Sequence, residues 1–163
     1  MLRRYKGTVP TVDATAFVDE SAQVIGDVHI GAESSVWMNV VIRGDVHHIR
    51  IGRRSNIQDL TMVHVMRDTH PTTIGDEVTV GHSAVLHGCT ISDRVLIGMG
   101  AMLLNGSSVG ADSIVAAGSL VTEGTRIPPR SLAMGRPATV RRPLTDDEVA
   151  SIRCYADNYV AYR

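Results

Sequence analysis

Aromatic side chains are scarce in this sequence: one Trp, one Phe and four Tyr make up 4% of 163 residues. A globule with a thick core uses large rings to fill it, so the scarcity implies a thin interior packed with Val, Ile, Leu and Ala. Cysteine is nearly missing too. Cys89 and Cys154 stand far apart without a paired motif, which excludes a disulfide framework and suits a reducing compartment. Neither charge sign dominates, since 16 Lys and Arg face 17 Asp and Glu. The densest basic clusters, Arg3-Arg4 and Arg53-Arg54, fall short of the stripe that nucleic acid requires. No nucleic-acid partner is expected. No run approaches the ~20 apolar residues of a membrane span, and Met1-Leu2-Arg3-Arg4-Tyr5 does not open a secretory signal. The expected setting is cytoplasmic, with no membrane partner.

What the sequence has is a repeat. An aliphatic residue returns every six positions at Val12, Val18, Val24, Ile30, Val36 and Ile42. After an insertion around His47-His48-Ile49-Arg50 the series resumes at Ile51, Ile57 and Val63, and after a second insertion at Ile74, Val80 and Leu86. A last block runs Ile91, Ile97, Leu103, Val109, Val115 and Val121. Gly often follows the aliphatic residue directly, as at Gly31, Gly52, Gly75, Gly81, Gly98 and Gly110, and small residues recur four places after it. Both suit tight corners. A period of six is neither helical nor that of a long alternating strand. Three repeats, each with one short strand, make a triangular coil of 18 residues, and the chain reads as an all-β parallel β-helix. The pattern resembles the hexapeptide-repeat family, which implies left-handed winding and trimeric assembly. In one domain spanning 1–163, the coil is expected over 10–127 and an extended, proline-bearing connection over 128–144. A C-terminal helix is expected over 145–163, opened by the capping box Thr145-Asp146-Asp147-Glu148 and given an apolar face by Val149, Ile152, Tyr155, Ala156, Tyr159 and Val160.

The register sorts the histidines. Ile42, Val63 and Leu86 start the same face in successive coils, so the residues that follow them, Arg43, His64 and His87, stack in one outward column. Neighbouring members lie ~4.8 Å apart, as adjacent strands do. His64 and His87 differ by 23 positions, one 18-residue coil plus the five residues of the second insertion, so the insertion preserves the alignment. His82, two places after Val80, falls on the adjacent face above Asp59, with Gln58 alongside. A single chain keeps His82 around a corner from the pair. A threefold trimer would bring one subunit's column to the next subunit's His82, and three histidines with an open position are the ligand set of catalytic zinc.

These histidines, with Arg43-Gly44-Asp45 and the segment Asn56–His64, closely resemble the gamma-class carbonic anhydrases. The resemblance implies a homotrimer in which His64 and His87 of one subunit and His82 of its neighbour hold Zn2+, or Fe2+ or Co2+. It further implies a zinc-bound hydroxide that attacks carbon dioxide to give bicarbonate. Gln58 would orient the water or bind product, Asp59 would serve as a supporting or proton-accepting carboxylate, and Arg43 with Asp45 would pair at the subunit boundary. Asn105, on the same face one coil later, would line the pocket. The sequence departs from the family at its proton-transfer glutamates. Val46 holds one place, and Val65-Met66-Arg67-Asp68 surrounds the other; His70 is the candidate substitute, with Asp68 behind it. The competing readings are a hexapeptide-repeat acyltransferase, which needs one histidine as base, an acyl-CoA thioesterase, and a metal-bearing scaffold without catalysis.

Overall fold

Each aliphatic repeat position becomes the inward residue of a short strand in the computed structural model, which describes residues 1–163. Strands stack in parallel on three faces, seven rungs to each. One face carries Val12, Ile30, Ile51, Ile74, Ile91, Val109 and Ile127. The second carries Val18, Val36, Ile57, Val80, Ile97, Val115 and Ala133. The third carries Leu2, Val24, Ile42, Val63, Leu86, Leu103 and Val121. A single cluster of 29 buried residues, all aliphatic or small, fills the prism between the faces. Each buried Val, Leu or Ile contributes about 1.5–3 kcal/mol by leaving water. No ring enters this interior, so aromatic scarcity and coil geometry have one cause: three short strands enclose too little width for one.

The coil reaches beyond residues 10 and 127 at both ends. Leu2–Arg3 pairs with Val24–Ile25, and Leu132–Ala133 pairs with Ile114–Val115 before the chain reverses into the antiparallel strand Ala138–Pro143. The stretch 128–144 is therefore a further rung and a hairpin as well as a connection. Leu2–Arg3 lacks the repeat, but an open sheet edge presents unpaired N–H and C=O groups that an adjoining extended segment satisfies; at the other end Ala133, six places after Ile127, extends the period. The first insertion is a bulge. Gly26 pairs with Gly44 and Val28 with Ile49, so Asp45–His48 stands opposite Asp27 alone.

The corners also lie elsewhere than the glycines suggest. Left-handed backbone falls three places after the aliphatic residue, at Glu33, Asn39, Arg54, Leu60, Glu77, Ser83, Arg94, Asp112 and Arg130, with φ between 52° and 63°. The glycines directly after the aliphatic residue answer a different need, the passage of the next coil. A Cβ on Gly98 would stand 2.3 Å from the backbone nitrogen of Ala117.

The helix Asp146–Tyr162 begins at Thr145, whose side chain accepts from the Glu148 amide while Glu148 accepts from the Thr145 amide. Ile152 and Ala156 are its buried residues. It docks outside the coil through an aromatic series, Phe17 to Trp37 at 5.3 Å and Trp37 to Tyr159 at 5.5 Å between centroids. Arg54 to Asp157 and Arg163 to Glu33 add ion pairs between helix and coil. This seat places the helix beside strand Thr79–Val80 and hence beside His82.

Gly98→Ala is expected to destabilise the fold by about 1–3 kcal/mol through overpacking. Gly118→Asn, at a left-handed corner with open space, is expected to change stability by less than about 0.5 kcal/mol, because Asn tolerates that conformation. Urea denaturation of both variants checks the pair. Hydrogen bonds from Arg142 and the Thr145 amide hold the Glu148 carboxyl down to about 2. Its folded value is depressed, so its contribution is present above the usual carboxylate range and is lost as pH falls toward 2. Thermal denaturation from pH 5 to 2 is expected to fall less steeply in Glu148→Gln.

Candidate functional site

Parallel pairing in register sets His87 directly on His64. Their rings meet with His64 Nδ1 3.1 Å from His87 Nε2. At the far side of His64, Nε2 lies 3.0 Å from Asp45 Oδ1; the Asp27-facing bulge turns this carboxylate toward the column. Arg43 contacts the other oxygen of Asp45. Burial pushes the Asp45 carboxyl upward, but the hydrogen bonds from His64 and Arg43 prevail and hold it below the usual range. At the far side of His87, Nδ1 lies 2.7 Å from Asn105 Oδ1, and Asn105 Nδ2 donates to Glu123 Oε1 at 3.0 Å.

This ladder dictates where the protons are. Asp45 Oδ1 and Asn105 Oδ1 are acceptors, so His64 Nε2 and His87 Nδ1 carry the ring protons. The inner nitrogens, His64 Nδ1 and His87 Nε2, then face one another as two lone pairs. Such an arrangement is repulsive until a cation joins them. Burial lowers the His64 pKa, outweighing the Asp45 hydrogen bond that opposes it, so a proton is disfavoured as that cation. A metal suits the spacing: tetrahedral zinc with nitrogens at ~2.0–2.1 Å separates two of them by about 3.3 Å. The outer acceptors are also the partners that metal-bound histidines characteristically have.

His82 lies on the adjacent face, where its Nδ1 pairs with Asp59 Oδ2 at 3.0 Å and its side chain is half exposed. The chain alone forms no cluster of three His, Cys, Asp or Glu side chains able to hold a metal. Gln58 is buried, with Nε2 donating to Asn56 Oδ1 at 3.0 Å, while Asn56 Nδ2 donates to Thr79 Oγ1 at 2.9 Å. Gln58 and His82 open on a groove of about 420 Å³ whose other wall is the helix, through Tyr155, Asn158, Tyr159 and Tyr162. Burial, with Asp59 close by, pushes the Tyr159 hydroxyl up.

His70 is brought to Asn105 and Glu123 instead of to the histidine pair, and with them lines an open polar hollow of about 540 Å³. Its Nδ1 meets Thr69 Oγ1 at 3.0 Å. Asp68 lies on the opposite flank, in a hollow with Asp45, His47 and His48. Val46 packs against the core. Three features escape the sequence reading. Glu123 follows Asn105 by one coil and was within reach of the register; the helix tyrosines and Asn158 were not, because docking places them 70 residues and more from Gln58 and His82.

A triangular parallel β-helix with a paired histidine column defines a hexapeptide-repeat protein. Comparison with known proteins agrees. The family described as bacterial transferase hexapeptide (six repeats) matches residues 88–123. The chain is 44% identical to the carbonic anhydrase of Geobacillus kaustophilus over 98% of this chain and 87% of that one. It is 54% identical to gamma carbonic anhydrase 1, mitochondrial, of Arabidopsis thaliana over 92% of its own length, and spans 56% of that relative. A solved hexapeptide transferase family protein from Anaplasma phagocytophilum superimposes with a TM-score of 0.95 at 42% identity, covering 99% of this chain and 95% of that one. The chain belongs to the gamma-class carbonic anhydrase-like proteins of the hexapeptide-repeat family, whose fold is the left-handed parallel β-helix.

Cys89 stands two places after His87 but takes no part in this site. It is buried, and burial pushes its thiol up to about 12, whereas Cys154 is exposed. Ellman's reagent is expected to label about one thiol per native chain, none in Cys154→Ser, and Cys89 only after denaturation.

Proposed function

We propose that this protein is a metal-dependent hydratase of carbon dioxide, working as a homotrimer in which His64 and His87 of one subunit and His82 of the next hold zinc or a related divalent ion. The observation that carries the reading is the pair of facing lone pairs on His64 and His87, kept inward by acceptors on both outer nitrogens. His82 supports it from the adjacent face, because Asp59 engages Nδ1 and leaves Nε2 open. The names of the relatives add a substrate, carbon dioxide.

Zinc held by His64, His87 and the neighbouring subunit's His82 would supply a nucleophile at neutral pH, since zinc in such a set lowers the pKa of water to roughly 7. The chain's own residues do the rest. Asp45 and Asp59 hold the ligand rings in orientation and increase their basicity. The Gln58 side chain, fixed by Asn56, positions the water or the product. Leu96, Ile97 and Met99 beside His82 offer an apolar wall that suits an uncharged substrate. Proton export falls to His70 at the open polar edge, since Val46 is packed and unable to titrate. No compartment follows from the fold; no helix is long and apolar enough to cross a membrane.

His82→Ala is expected to lower metal content from roughly one ion per subunit to a small fraction and to reduce kcat/KM for carbon dioxide hydration by at least about 100-fold. Elemental analysis of the purified protein and stopped-flow hydration measure the two. Unchanged metal stoichiometry in His82→Ala would overturn the shared site. Full metal occupancy without hydration, but with hydrolysis of acyl-CoA esters, would reassign the centre to a thioesterase; occupancy with neither activity would leave a scaffold.

A further inference from the structure

The two outer hydrogen bonds on the histidine pair differ in how firmly they are set. At His64 the partner is a carboxylate, which has no proton to offer. At His87 the partner is the Asn105 amide, whose oxygen and nitrogen exchange places when the end group turns over. In the turned arrangement, Asn105 Nδ2 donates to His87 Nδ1, the His87 proton resides on Nε2, and that N–H donates to His64 Nδ1. The pair is then satisfied with no cation between the rings. This closed form competes with metal.

Only the far side of the amide decides between the two. Asn105 Nδ2 donates to Glu123 Oε1 at 3.0 Å, so turning the amide would set its oxygen against a carboxylate with no proton between them. Glu123 is held there by the coil itself. Leu103 pairs with Val121, and the Gly124 amide donates to the Asn105 carbonyl at 3.0 Å. The space for the amide is equally built in, because a Cβ on Gly88 would lie 2.5 Å from Asn105 Oδ1.

We propose that Glu123 is a positioning residue for the metal centre: by accepting from Asn105 Nδ2 it keeps the Asn105 oxygen on His87 Nδ1 and the His87 Nε2 lone pair turned toward His64. This inference rests on the metal reading above, and its role is electrostatic and geometric. Glu123 touches neither substrate nor metal. A carboxamide with its oxygen in the same place would serve as well, whereas a side chain with no acceptor would release the amide.

Two measurements on Glu123→Gln and Glu123→Ala test it. Long-range proton–nitrogen NMR of the metal-free protein at pH 8 is expected to show His87 protonated on Nδ1 in the wild type and Glu123→Gln, and shifted toward Nε2 in Glu123→Ala. Cobalt titration followed by visible absorption is expected to give a Kd about tenfold weaker in Glu123→Ala and within about twofold of wild type in Glu123→Gln. An unmoved tautomer and an unmoved Kd in Glu123→Ala overturn the inference, as does an equal loss in both variants, which would assign the effect to charge alone. If the wild type binds no cobalt while the tautomer still moves in Glu123→Ala, the metal reading fails and the hydrogen-bonding role of Glu123 stands.

Discussion

Backbone hydrogen bonds between successive coils hold neighbouring rungs about 4.8 Å apart, and every side chain on a face inherits that spacing. His64 and His87 come together because Val63 pairs with Leu86 and Val85 with Met62 in unbroken register, without any attraction between the rings. The same stacking excludes side chains wherever one coil crosses closely over the next, as at Gly98. It also restricts the interior to aliphatic and small side chains, and drives the aromatic residues outward, where Phe17, Trp37 and Tyr159 instead seat the helix. Core composition, histidine pairing and helix docking thus descend from one geometric constraint.

The constraint alone would align five arbitrary side chains. Chemistry enters through the polar residues placed on consecutive rungs: Asp45, His64, His87, Asn105 and Glu123 form one hydrogen-bonded ladder along a single face. Its ends are carboxylates and its centre is a pair of opposed lone pairs. Negative groups at both ends favour a cation at the middle, and partial burial of His64 works against its being a proton. The two insertions contribute to opposite flanks of this ladder. The bulge of the first supplies Asp45, and the loop of the second sets His70 over Gly106 near Glu123.

Legibility followed the repeat. Where the six-residue period persists, counting located faces, rungs and the alignment of His64 with His87, and it placed Asp59 beneath His82, where the structure has a 3.0 Å contact. Where the period stops, counting failed. Leu2–Arg3 joins the coil by satisfying an open edge, a demand of the neighbouring backbone with no mark in its own side chains, whereas Ala133 carries the period one rung past Ile127 on a small residue that counting passed over. The corner glycines were legible as special but for the wrong reason, since the left-handed turns tolerate Glu, Arg and Leu while the coil crossings do not tolerate a Cβ.

By itself the sequence determined the three-faced coil, the column that pairs His64 with His87 and the separate face of His82, because a strict period converts residue number directly into position along and around the axis. Only the tertiary structure decided which nitrogen of each ring faces inward, that Glu123 fixes the Asn105 amide, that His70 attends Asn105 instead of the histidine pair, and that the helix walls the groove beside Gln58 and His82. Those features depend on side-chain rotation and on the docking of a distant segment. Neither is encoded in a period.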